Sequence, residues 1–169
     1  DGSFDDWFEL FNLSAIDANL GGHYLTDNLS VTNMFAVPSG TIVPANGFLF
    51  VWADNDEAVN GPGQDWHVNF GLSRNGDTIG LYSPAGGLVD AVVFGAQGND
   101  QSDGSWPDGT VDIYPMLPST PAGSNSVFLI IQCESGPGGH TVDVAVPSAG
   151  VYRVEFNVDV INTNWMLLD

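Results

Sequence analysis

The 169 residues carry 21 acidic side chains against two arginines, Arg74 and Arg153, and no lysine, for a formal net charge of −19. That balance speaks against the phosphates of nucleic acids as partners, disfavours anionic membranes, and favours solubility, multivalent cations and basic proteins. Hydrophobic residues make up 43% and aromatics 11%, enough for a real core, and 21 glycines and 10 prolines without helical periodicity predict an all-β architecture.

In chain order, Trp7 to Asn12 alternates as a strand should, with Phe8 and Leu10 on one face and Trp7, Glu9 and Phe11 on the other. Short extended pieces follow at Ile16 to Leu20, His23 to Asp27, Met34 to Val37 and Thr41 to Val43, and Asn46-Gly47 marks a turn with positive φ. Phe48 to Ala53 is apolar on both faces and predicts a central strand. A polar loop runs from Asp54 to Trp66, and His67 to Phe70 is a further short strand. Asp77 to Phe94 reads as a β-hairpin around Ser83-Pro84-Ala85-Gly86-Gly87, where proline presets φ and the two glycines permit the reversal. Its second arm is apolar except for Asp90, which predicts a strand covered on both sides or near a sheet's middle. Gly95 to Gly109 reads as polar loop, Thr110 to Tyr114 as a last strand, and Pro115 to Gly123 as a linker or irregular closing segment. After Ser124 four more strands are predicted, at 126–133, 140–146, 150–156 and 164–168, a sheet with little core of its own. Two domains follow, 1–123 and 124–169.

Cys133 is the single cysteine, so no intrachain disulfide exists, and its apolar surroundings in sequence predict a buried small hydrophobe. No run approaches the roughly 18 apolar residues of a membrane span. The chain opens on Asp1-Gly2-Ser3 with no signal peptide, as a processed or trimmed product would.

Several motifs together resemble the lamin tail domain in its bacterial extracellular form, over residues 6–109. They are Asp6 to Asn12, Leu20 to Asp27, Pro38 to Thr41, Pro44 to Asp54, His67 to Ser73, the hairpin, and Trp106 to Gly109. The resemblance implies an immunoglobulin-like β-sandwich without catalytic activity, followed here by a smaller C-terminal β-sheet module. That module, with Gly150 to Phe156 and Asn162 to Leu168, resembles a small β-module of secreted bacterial proteins. His23 replaces the aromatic residue frequent in the family, and Ser105 the arginine before Trp106-Pro107-Asp108-Gly109. The family's usual strand ahead of Trp-Phe-Glu-Leu is missing, because the sequence begins six residues before Trp7.

No catalytic motif is present: neither a Gly-x-Ser-x-Gly elbow, nor a His-Glu-x-x-His pair, nor a phosphate-cradling loop. No enzyme is expected and no cofactor is required. Asp54, Asp56, Glu57, Asn60 and Asp65 gather hard oxygens in one loop, the donor type calcium takes, though without EF-hand spacing; the alternative is a solvated loop of turn formers. Asn12-Leu13-Ser14 and Asn28-Leu29-Ser30 fit the N-glycosylation acceptor pattern, which also arises by chance. An open edge near Trp7, Phe8 and Leu10, with surplus strands carrying Val127, Leu129 and Ile131, predicts interfaces built by strand sharing; the alternative is that the sequence simply starts after the family's first strand.

The expected function is therefore that of an extracellular, cell-surface structural protein. It would be a self-assembling subunit of a filament or adhesive appendage, a head-to-tail homo-oligomer with no nucleic-acid partner and no membrane insertion. The alternative is a non-catalytic calcium- or carbohydrate-binding module of a larger secreted protein.

Overall fold

A computed structural model describes residues 5–116, 119–125, 129–136, 139–146 and 150–156. The chain divides into two compact units, Asp1–Asn125 and Ser126–Asp169.

The first unit is an all-β sandwich. One sheet has the order β1-β6-β7, in which β1 (Asp6–Phe11) runs antiparallel to β6 (Phe48–Ala53) and β7 (Trp66–His67) lies parallel on the far side. The other sheet has the order β4-β3-β8-β9, from β3 (Tyr24–Thr26), β4 (Phe35–Ala36), β8 (Gly76–Tyr82) and β9 (Leu88–Gly95). A two-residue ladder joins β2 (Ala18–Asn19) to β5 (Ile42–Val43). After β9, β10 (Ser102–Ser105) pairs with β11 (Ile113–Met116).

The two-residue side-chain period decides which face each strand buries. In β1 and β6, Phe8 and Val51 are register partners and both are buried. Leu25, Ile79 and Leu81 contribute from the opposite sheet, and Phe35, Val37, Ala53, Val68 and Phe70 complete the core. The rings of Phe8 and Phe70 stack at 6.3 Å. On the other face of the first sheet, Trp7 stacks on Phe50 at 5.2 Å, Phe50 meets Trp52 edge-on at 4.9 Å, and Trp52 lies over His67.

The outer face of β8 is covered by the loop that follows β3. Thr78 Oγ1 donates to the Asp27 carbonyl at 2.7 Å and the Tyr82 hydroxyl to the Leu29 carbonyl at 3.0 Å. Gly80 leaves room there for the loop, since a Cβ would sit 2.7 Å from Leu29 Cδ2 and push that side chain aside. Thr26, fully buried, donates its hydroxyl to the Asn28 carbonyl and accepts the Asn28 N–H. The turn into β8 is closed by Gly76 N–H to the Ser73 carbonyl, Ser73 N–H to Asp77 Oδ2, and Gln97 N–H to the Arg74 carbonyl.

The hairpin forms as expected from its turn chemistry. Ser83 N–H bonds to the Gly87 carbonyl and Gly86 N–H to the Ser83 carbonyl, both at 2.8 Å. Only Gly86 takes positive φ, at 80°, while Gly87 N–H is held by Ser83 Oγ. The expected position of the second arm is wrong. β9 is the outermost strand of its sheet, and Leu88, Val89 and Val93 are 56%, 55% and 71% exposed. Apolar residues on both faces normally mean cover on both faces, but nothing among the described residues of the first unit pairs with its far side. Two further corrections concern the closing segment. Ser102–Ser105 is a strand although its residues are polar and glycine-containing, and its partner begins only at Ile113. Met116 ends that partner 1% exposed, inside the stretch expected to be a linker.

The second unit is an antiparallel meander of β12 (Leu129–Gly136), β13 (Gly139–Val146) and β14 (Gly150–Phe156), with a register shift between Ile130 and Gln132. The fourth strand expected at 164–168 lies outside the described residues.

Leu25, 1% exposed at the centre of the sandwich, tests the core. Leu25→Ala is expected to lower stability by about 3 kcal/mol in urea unfolding, because the rigid sheets on either side limit collapse into the cavity.

Candidate functional site

The loop expected to collect calcium ligands uses its oxygens otherwise. Asp54 Oδ2 lies 2.6 Å from His67 Nδ1, and Asp54 Oδ1 accepts the Asp56 N–H. Asn60 reaches across to β7 and clamps its backbone twice: Nδ2 donates to the His67 carbonyl at 2.8 Å, and Oδ1 accepts the His67 N–H at 2.7 Å. The carboxamide thus behaves as one more peptide unit on the outer side of β7. Asp56, Glu57 and Asp65 remain exposed, with Glu57 opening a single 3-10 turn, Glu57–Val59. Among the described residues no group of three or more histidine, cysteine or acidic side chains is placed to hold a metal ion. The structure brings Asp54 and Asn60 to His67, and does not bring the five expected ligands to one point.

The two glycosylation candidates differ. Asn12 Nδ2 donates to three carbonyls, those of Ile16, Val43 and Pro44, at 2.9 to 3.1 Å, while Oδ1 accepts the Ser14 N–H. Its amide nitrogen is a corner clamp joining the end of β1 to β5, and a glycan there would break the clamp. Asn28 is exposed; its Oδ1 accepts the Ser30 N–H, and no described group engages its Nδ2.

A shallow, open cavity of about 460 Å³ lies beside it, lined by Asp27, Asn28, Leu29, Ser30, Asp77 and Thr78. Partial burial raises the Asp27 pKa, and the neighbouring Asp77 charge raises it further. Both Asp77 oxygens accept backbone N–H groups, from Ser73 and from Thr78. Of the hydroxyls that line the hollow with these two carboxylates, that of Thr78 is spent on the Asp27 carbonyl.

The sheet edges are the remaining candidates. Asn12 N–H bonds to the Gly47 carbonyl, one step beyond the β1–β6 ladder. Because alternate residues of an antiparallel strand address alternate neighbours, Trp7, Glu9 and Phe11 turn their N–H and C=O groups away from β6. Among the described residues no strand takes them. Phe8, expected at an interface, is 6% exposed and belongs to the core; Trp7 and Leu10 are half-buried. Leu129 and Ile131 lie on β12, and Val127 falls outside the described residues. The Glu9 side chain accepts the Ala122 N–H at 2.8 Å, which draws the closing segment back to β1. Burial raises the Glu9 pKa; the Ala122 N–H opposes that and the Asp108 charge adds to it.

The match to known families covers residues 1–96, and the family is the lamin tail domain. The chain belongs to the lamin tail domain family. The matched stretch runs from the start of the sequence through the end of β9, so β10, β11 and the second unit lie beyond it. The family is immunoglobulin-like and non-enzymatic, which is consistent with a structural or binding module over residues 1–96. No curated protein and no solved structure matches the chain.

Two measurements check this geometry. Asn12→Asp removes the donors that face three carbonyls and sets a charge among them; a loss of about 3 kcal/mol is expected in chemical denaturation. Glu9 has a raised pKa in the folded state, so its charged form opposes folding, fully so above the folded pKa. That penalty is relieved as pH falls through the folded value towards the ordinary glutamate range. Glu9→Gln, which keeps an acceptor for Ala122, is expected to raise the melting temperature by about 2 °C at neutral pH and by less as pH falls.

Proposed function

We propose that this chain is an extracellular structural protein, a subunit of a surface filament or adhesive appendage that assembles head to tail through sheet-edge interfaces. The observation that carries this reading is the outward side of β1, where the backbone groups of Trp7, Glu9 and Phe11 have no strand partner among the described residues. An open edge of this kind is a template for a strand of another molecule. The second unit adds to the reading, because among the described residues its three-stranded sheet ends in two further edges, at β12 and β14. Pairing between unlike edges is heterologous, and heterologous contacts propagate into fibres unless they close. An acidic exterior keeps the free subunit soluble until such contacts form.

A second reading, a carbohydrate-binding module, is favoured by the aromatic row Trp7, Phe50 and Trp52, whose half-buried rings are of the kind that stack on sugar rings. Retention on a glycan array, lost in Trp52→Ala, is its expected signature.

The filament reading is tested by small-angle scattering and electron microscopy over a concentration series, with hydrogen exchange read residue by residue. The amides of Trp7, Glu9 and Phe11 are expected to become protected as oligomers form. A monomer at every concentration, with those three amides exchanging freely, overturns it.

A further inference from the structure

A different edge of the first unit carries a more specific inference. On β9 the Ala91 N–H donates to Asp90 Oδ1 at 2.9 Å. That bond identifies the outward row: by alternation, Ala91, Val93 and Gly95 present their N–H and C=O groups away from the sheet. The strand is eight residues long, with exposed apolar side chains at Leu88, Val89 and Val93. Natural edges are blunted by lysine, proline, bulges or short length. Here Leu88–Gly95 contains neither lysine nor proline and has one charge, Asp90. The one bulge lies at the hairpin end, opposite Leu81 and Tyr82.

The Asp90 carboxylate has two effects at this place. It satisfies the outward N–H of Ala91, and it sets a negative charge on an otherwise apolar edge. A second copy of this chain would bring its own Asp90 and a further net charge of −19 to the same line, so self-pairing at β9 is opposed electrostatically. A strand bearing lysine or arginine opposite Asp90 meets the reverse situation. Its cation draws the carboxylate into an ion pair, and its main-chain carbonyl takes over the Ala91 N–H.

We propose that β9 is a docking edge for an extended basic segment of another protein, which adds to the sheet β4-β3-β8-β9 as a fifth strand, with Asp90 as the selecting charge. This rests on the interface reading above and supplies the chemistry of its partner.

The test uses the full chain, labelled for backbone NMR, and two synthetic octapeptides of alternating valine with lysine or with glutamate. The lysine peptide is expected to shift the Ala91, Val93 and Gly95 amides, slow their exchange, and bind several-fold more weakly as salt is raised. The glutamate peptide is expected to do none of this. Val93→Pro removes an outward N–H without touching the ladder to β8 and should abolish binding. Asp90→Asn, an exposed and conservative change, should weaken the lysine peptide about tenfold and promote self-association through β9. The proposal is overturned if the lysine peptide leaves β9 unmoved, or if it perturbs acidic surface broadly and equally in Val93→Pro. It is also overturned if the unmodified chain pairs with itself at β9. A monomer that binds the peptide at β9 removes the filament and keeps this edge; a filament indifferent to the peptide does the opposite.

Discussion

Every sheet has to end, and the backbone groups on its last strand need a partner that the sheet itself cannot provide. This constraint organises the first unit more than any single core contact. Parity fixes both sides of the matter at once. The residues of β1 that bond to β6 carry Phe8 and Leu10 into the core, and the residues that turn their backbone outward carry Trp7, Glu9 and Phe11 to the opposite face. Three of the margins then receive three different treatments. At β7 the Asn60 carboxamide substitutes for a neighbouring strand, in both directions. At β9 a single carboxylate covers a single N–H. At β1 the side chain of Glu9 holds the closing segment, but the backbone row stays unpaired among the described residues.

Charge enters the same picture. Burial alone makes the ionised forms of Glu9 and Asp27 unfavourable, and further carboxylates nearby add to the effect. With two arginines in the sequence, and only Arg74 among the described residues of the first unit, there is little internal cation to offset them. The acids are instead satisfied by backbone N–H groups, as Asp77 is by Ser73 and Thr78. A fold that answers its carboxylates with its own backbone leaves its surface field uncompensated, and that field discriminates between acidic and basic partners.

Much of this architecture was legible in the sequence. The alternation of Trp7 to Phe11, the apolar run of β6, the turn at Asn46 with φ of 53° and the hairpin of β8 and β9 rest on local period and turn chemistry. The misjudged features depend on distant partners. β9 looks central by composition, yet whether an apolar strand is covered depends on what packs against it. β10 reads as loop because Ser102–Ser105 acquires its ladder only from Ile113–Met116. Asn12 and Asn60 illustrate the same limit. One fits an acceptor triplet and the other a calcium-like loop, but each is a backbone clamp whose partners lie 31 and 7 residues away. Asp90 was visible only as the odd charge in an apolar arm; its bond to Ala91 gives that charge a position on the edge.

The turn before β8 has a consequence for how readily this protein can be cut. Proteases that cleave after basic residues find two addresses in the sequence, Arg74 and Arg153. Such enzymes need the chain drawn out around the scissile bond. The Arg74 carbonyl is bonded to Gln97, inside a turn closed on both sides of it, and Arg153 lies within the ladder of β13 and β14. Cutting either one requires local unfolding first. A polypeptide nearly empty of cations is thereby also nearly empty of tryptic sites, and both that remain are sheltered by hydrogen-bonded structure.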